Sequence, residues 1–421
     1  MRKLLTDVRP LRASSAYRRL WLGQAVSGFG QQMSVVAVAW EVWILTQSSF
    51  SVGLVGLAGL LPLILGGLYG GALVDAFDRR TVAIASALGL WLSSIALVVH
   101  SVLDWDSVGV LYGIVAVQAL FFAVNNPARA AMLPQLLPAH LLPAANALGM
   151  AATNLSFTVG PLLGGALIAW RGVEAAYVAD VVLYLAALYS VLRLPALPPA
   201  TKMPVPGVRS VVDGLRFLRT APNIAMSFVV DLCAMVFAQP RALFPALAAT
   251  VYAGSATGDA GASSLGLLQA SPAIGSLIAF VLSGWVSRVH RHGIAITVAV
   301  VAYGASVSAA GFAAVGVPGL LWLALSFLAL SGAADMISAA YRSTILQTAA
   351  PDEMRGRMQG LFIVVVAGGP RLGDFLIGSL ASAVGEEWAM VAGGALCITG
   401  VVVAVTLNRR FLAYDARHPT P

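Results

Sequence analysis

Seven ionisable residues stand inside long apolar runs: the acids Glu41, Asp180, Asp231, Asp335 and Asp374 and the bases Arg241 and Arg371. A charge in hydrocarbon costs enough free energy that such residues pair with one another, face a bundle interior, or line the path of an ion or substrate. Asp231 is the acid placed best for carrying a proton, and its alternative is a salt bridge to a base on a neighbouring helix. Glu41 is the rival carrier; it stands near the end of its run, where simple solvation explains it equally well. Arg371 and Asp374 are three residues apart, hence on one helix face, and are expected to neutralise each other. Asp180 and Asp335 read as packing or pairing residues, and Arg129 and Arg342 as binders of carbonyls or acids at the inner ends of their helices.

Polar residues add a second pattern. At the helical period of about 100° per residue, Gln24, Ser27, Gly28, Gln31, Ser34 and Glu41 fall within about 140° of arc, and Trp40 points the other way. A polar stripe on an otherwise apolar helix lines a cavity or hydrogen-bonds to neighbouring helices. Other chemistries have no residues to carry them. No loop gathers His, Cys or acids at metal-ligand or catalytic spacing, and the five histidines scatter. The two lysines, Lys3 and Lys202, follow no glycine-rich phosphate loop, so neither ATP nor another cofactor is implied and the chain does not read as an enzyme.

The elements that must hold these residues follow from composition. The 421-residue chain is 59% hydrophobic and 10% charged, against roughly 45–50% and about 25% in soluble domains. It reads as a polytopic membrane protein, because a bilayer core takes about 20 apolar residues per helical span and the chain supplies many such runs. The net charge of +7 does not point to nucleic acid, since the basic residues are spread over short segments beside apolar runs. Cys233 and Cys397 lie within apolar runs and imply no disulfide.

Twelve spans are expected, six on each side of a proline-rich polar break. The domains are 1–194, a linker 195–222 with an amphipathic helix at Val208 to Arg219, and 223–421. Span four is expected at Val108 to Val124, seven at Ile224 to Val251, eight at Leu265 to Val286 and eleven at Leu361 to Val384. Of the 25 Lys and Arg residues, 22 fall on one side of this arrangement, one (Arg171) on the other and two within spans, which predicts that both termini are cytoplasmic. The halves echo one another: Arg129 and Pro138 return as Arg342 and Pro351, and Gly160-Pro161 with Gly164 returns as Gly369-Pro370 with Gly373. A parallel repeat of this kind places a binding site near mid-membrane and transports by rocking one half against the other.

With these features on the page, the chain resembles the major facilitator superfamily. Between spans two and three, Gly71, Asp75, Arg79 and Arg80 match the superfamily's loop pattern, while Ala76 replaces its first base and Asp78 its second glycine. The resemblance implies a cytoplasmic gate there. Gly160, Pro161, Gly164 and Gly165 resemble the pattern of the family's antiporters, with Ser156 at an earlier glycine position. Pro127-Ala128-Arg129, Arg241 before Phe244-Pro245-Ala246, and Arg355-Gly356-Arg357 with Gly373-Asp374 resemble the bacterial efflux branch that includes the enterobactin exporter and related multidrug pumps. In that resemblance Arg241 holds an anionic substrate group or an acid. The expected fold is all-α and integral to the membrane, with two six-helix bundles related by pseudo-two-fold symmetry. The expected function is proton-coupled export of amphiphilic small molecules, siderophores or drugs, by alternating access at the bacterial inner membrane. The substrate-and-proton path is Gln24, Gln31, Glu41, Asp231, Arg241, Arg371 and Asp374; the partners are the substrate and the bilayer, with a monomer as the working unit. An importer of the same fold is the alternative, and a membrane-embedded enzyme a weaker one.

Overall fold

The computed structural model describes residues 7–198, 216–252, 259–316, 320–349 and 352–417. Every regular element among them is helical. Lipid offers no partner to a backbone N–H or C=O, so a chain this apolar satisfies its backbone within helices. Unit 1 carries α1 (Arg9–Ala13), α2 (Ser15–Thr46), α3 (Ser49–Ala76), α4 (Arg79–Val102), α5 (Val108–Leu136), α6 (Leu142–Arg171) and α7 (Val173–Leu192), apart from the segment Thr46–Leu57, which clusters with unit 2. Unit 2 carries α8 (Pro222–Leu232), α9 (Phe244–Thr250), α10 (Asp259–Val281), α11 (His292–Gly316), α12 (Leu321–Ala349), α13 (Asp352–Val384) and α14 (Glu386–Leu407).

Ten helical stretches are long and apolar enough to cross a membrane among the described residues, with α8 and α9 counted as one. The other two long helices, α2 with 32 residues and α13 with 33, complete the twelve spans. These two carry the polar stripe and the Arg371 and Asp374 charges, which is why they are the least apolar.

The seventh span departs from the continuous helix expected over Ile224 to Val251. It runs as α8, a π-helical turn at Cys233–Phe237, a break at 238–240, a 3-10 turn at Arg241–Leu243 and then α9. Pro240 explains the break, since it has no N–H to donate and its ring clashes with the preceding turn. Tyr303 of α11 repairs part of the loss by donating its hydroxyl to the freed Ala238 carbonyl, 3.1 Å away. Helix bounds shift elsewhere. Helix α5 continues through Pro127 and Pro134 to Leu136, well past Val124; α10 ends at Val281 and gives way to a 3-10 turn over Ser283–Arg288; α13 begins at Asp352, ahead of Leu361. Of the expected linker helix at Val208 to Arg219, only 216–219 fall within the described residues.

Each bundle docks its fifth span on its first through glycines. In unit 1 a Cβ on Gly160 of α6 would lie 2.5 Å from Gln32 Cβ, and one on Gly164 would lie 3.0 Å from Met33 Cα. In unit 2 Gly369 and Gly373 of α13 meet Met235 in the π-helical turn. The glycine repeat seen in the sequence is therefore one packing device used twice, bringing two backbones closer than side chains would allow.

Candidate functional site

Unit 1 holds its polar side chains at two levels of α2. At the upper level, Glu41 Oε2 accepts the Tyr177 hydroxyl of α7 at 2.5 Å, and Oε1 lies 3.1 Å from Nδ1 of His100 on α4. His100 Nε2 in turn lies 3.2 Å from the Ser107 carbonyl, in the turn between α4 and α5. Two helical turns below, Asp180 of α7 accepts the hydroxyls of Ser34 (2.8 Å) and Ser94 (2.7 Å) on one oxygen, and its other oxygen has no hydrogen-bond partner. These six side chains sit on the contact between α2, α4 and α7 because that is where hydroxyls and carboxylates can satisfy one another away from lipid.

The polar stripe on α2 thus divides. Ser34 and Glu41 are buried in contacts with neighbouring helices, whereas Gln24 is exposed and Gln31 half-buried. Ser27 bonds back to the Gln24 carbonyl of its own helix, and Gly28 faces the Ser156 hydroxyl of α6. Reading the sequence missed His100 and Tyr177, and placed Asp180 with the packing residues. The available signal was His100 itself, a histidine in the last turn of an apolar run, shortly before the acids Asp104 and Asp106.

Unit 2 holds its charges in two clusters. Asp231 at the end of α8 is ion-paired with Arg342 of α12, both buried, and Asp335 lies 3.4 Å from the same guanidinium. Asp335 and Arg342 are seven residues apart, two turns of one helix, so a single face presents both to α8. One Asp231 oxygen and the Arg342 Nε have no hydrogen-bond partner, so the pair is incompletely satisfied for its burial. The second cluster surrounds the break. Asp374 of α13 accepts the Ala242 backbone N–H and has Arg241 and Arg371 as charged neighbours. Arg241, placed in the 3-10 turn that follows Pro240, is exposed. Gly53 and Gly56, in the part of α3 that belongs to unit 2, lie against the backbone of Asp374 and Arg371. Two guanidiniums against one carboxylate leave this cluster with an excess of positive charge.

The loop between α3 and α4 is tied down by its own charges. Asp78 caps α4, its Oδ1 accepting the N–H groups of Arg80 (2.8 Å) and Thr81 (3.3 Å), and its Oδ2 accepts the Leu197 N–H at 3.1 Å. Arg79 donates to the Ala131 carbonyl in α5 and Arg80 to the Leu192 carbonyl at the end of α7, each at 2.8 Å. An acid at a helix start and bases at helix ends are where the peptide dipoles favour them. The residue at the second glycine position of the loop pattern therefore has a role of its own, as the α4 cap. The surroundings of Gly71 and the side chain of Asp75 lie outside what is described. Gly160, Pro161, Gly164 and Gly165 are buried in α6, which runs unbroken through Pro161.

A family model described as transmembrane secretion effector matches residues 6–419. The enterobactin exporter EntS of Citrobacter koseri is 29% identical over 424 residues, spanning 99% of this chain and 97% of that protein. The one from Shigella boydii is 28% identical over 414 residues, spanning 97% and 96%. Among solved structures, a nucleoside transporter NupG superposes with a TM-score of 0.75 at 11% identity, over 93% of this chain and 100% of that one. A POT family transporter in complex with 5-aminolevulinic acid gives 0.74 at 10% identity, over 94% and 97%. At these identities the solved structures speak to the fold, which is that of the major facilitator superfamily. The match along nearly the whole length settles the rest: this chain belongs to the transmembrane secretion effector family, and it is a multi-pass membrane protein and secondary transporter.

Proposed function

We propose that the protein is a proton-driven exporter of amphiphilic small molecules, siderophore-like or drug-like, working by alternating access in the bacterial inner membrane. The observation that carries this reading is the broken seventh span, where Arg241 and Arg371 flank the single acid Asp374 at a discontinuity of the helix. Broken helices at membrane depth are the usual means by which transporters present polar groups to a substrate. A surplus of guanidinium charge on an otherwise apolar bundle suits a molecule with an anionic group and a large apolar body. The similarity to proteins named enterobactin exporters supports the siderophore class.

Several features belong to this reading. The energy source is the proton gradient, with no further cofactor and no chemical change of the substrate. Both termini are cytoplasmic, the monomer is the working unit, and nucleic acid is not a partner. The chain works as a bundle over 1–194, a cytoplasmic linker over 195–222 and a second bundle over 223–421. Gly71, Asp75, Arg79 and Arg80 form the cytoplasmic gate, and Asp231 or Glu41 carries the proton. Comparing cells with and without the protein, with siderophore assayed in the medium and drug susceptibility measured alongside, tests the export. Equal siderophore release and equal susceptibility would overturn it. Flux measured in inverted vesicles decides between export and import.

A further inference from the structure

The hydrogen bonds around His100 fix how many protons it shares with Glu41. A carbonyl oxygen only accepts, so the Ser107 carbonyl at 3.2 Å requires a hydrogen on His100 Nε2. The contact between Nδ1 and Glu41 Oε1 at 3.1 Å requires one more hydrogen between them. Two arrangements meet both conditions: an imidazolium beside a carboxylate, or a neutral imidazole beside a carboxylic acid. Each holds the same number of protons, and each leaves the pair with no net charge. Tyr177 completes the set by donating to Glu41 Oε2 at 2.5 Å, which occupies the remaining carboxyl oxygen.

We infer that Glu41, His100 and Tyr177 form a proton-binding site in unit 1, which rests with one shared proton and takes up a second as the pH on the side of the α4–α5 turn falls. The second proton comes from water and binds Glu41 Oε2, leaving an imidazolium beside a carboxylic acid. Because Oε2 then carries a hydrogen, the Tyr177 hydroxyl must turn from donor to acceptor, and its own hydrogen loses its partner. Tyr177 is fully buried, so that loss weakens the link between α2 and α7. Proton uptake is thereby coupled to the contact between two helices.

The route to water is short. His100 is 1% exposed, yet its Nε2 bonds directly into the turn at 103–107, where Asp104, Trp105 and Asp106 are exposed. Asp104 and Asp106 hold left-handed conformations (φ 46° and 44°), uncommon for residues other than glycine, which fold the turn over the imidazole. Trp105 packs edge-on against the ring with centroids 6.4 Å apart. Other charges near the pair are Asp106, which acts on Glu41 through space, and Asp180, one helix turn from Tyr177 on α7.

The role in transport rests on the proton-driven reading above; the site itself does not. The test uses the full-length protein in lipid nanodiscs, with the proton as the probe. Proton uptake is counted by titration between about pH 8 and pH 5, around the ordinary histidine range, for the wild type, Glu41→Gln, His100→Gln, the Glu41→Gln/His100→Gln double variant and Tyr177→Phe. The wild type is expected to take up one proton more than the double variant Glu41→Gln/His100→Gln, since each single variant keeps one partner that can accept a proton. Tyr177→Phe, which removes the competing donor, is expected to bind that proton about tenfold more tightly. Nitrogen-15 NMR of the histidines, with His100→Gln for assignment, is expected to find hydrogen on Nε2 of His100 throughout. Equal uptake by the wild type and the double variant overturns the inference, as does a His100 ring protonated on Nδ1 alone. Neither substrate nor gradient enters this titration. A negative result leaves proton coupling through Asp231 standing, and export insensitive to a pH gradient leaves a positive titration standing.

Discussion

Replacing Asp231 with Asn leaves the Arg342 guanidinium at 5% exposure without the carboxylate it is paired to. Breaking one side of a buried ion pair costs about 3–5 kcal/mol, because the remaining charge stays in a poor solvent. Asp335 offers partial relief. At 3.4 Å its attraction to Arg342 is about 5 kcal/mol at an effective dielectric constant of about 20. Its side chain is 38% exposed, however, and solvent screening reduces such a contact to about 1 kcal/mol. The net loss expected for Asp231→Asn is therefore about 2–4 kcal/mol. The reverse change, Arg342→Gln, should cost less at acid pH, since an orphaned carboxyl can take a proton whereas a guanidinium cannot lose one. Reversible unfolding in mixed micelles, run on both single variants and the double variant, measures these costs. The double variant should be more stable than the sum of the single losses by at least about 1 kcal/mol. Additive losses, or an Asp231→Asn protein as stable as the wild type, would refute the assignment of this pair as buried and coupled.

Four further outcomes are expected. Asp231→Asn should abolish pH-gradient-driven efflux in vesicles if Asp231 is the proton carrier, and intact efflux assigns the carrier elsewhere. Asp78→Ala removes both the cap of α4 and the bond to Leu197, and should lower stability by about 1–2 kcal/mol in the same unfolding assay; a neutral effect would mean that the loop is held by Arg79 and Arg80 alone. Gly160→Val places side-chain atoms where Gln32 stands and should sharply reduce the folded, membrane-inserted fraction, measured by fluorescence-detected size exclusion. Arg241→Gln should weaken binding of an anionic amphiphile more than binding of a neutral one of similar size, and equal weakening would count against a role for its charge.

By itself the sequence determined the class, the span count and the pseudo-symmetry. Hydrocarbon forces these, since only long apolar helices satisfy their backbones there and basic residues collect on one side. It also marked the glycines that dock the fifth span on the first in each bundle, and the seven ionisable residues that lipid would not tolerate unpaired. Tertiary structure alone decided the partners. Asp231 had two readings in the sequence, free carboxyl or salt bridge, and only the rotation of α12 about its axis brought Arg342 and Asp335 to it. His100 of α4 and Tyr177 of α7 both reached Glu41 of α2, and Pro240 broke a span that apolar periodicity had read as continuous. The physical reason is common to all three. In lipid the outward and inward faces of a helix are equally apolar, so the pattern that tells a soluble helix which way to face is missing. The facing, and with it every charge pairing in the two bundles, is set by packing between helices far apart in the chain.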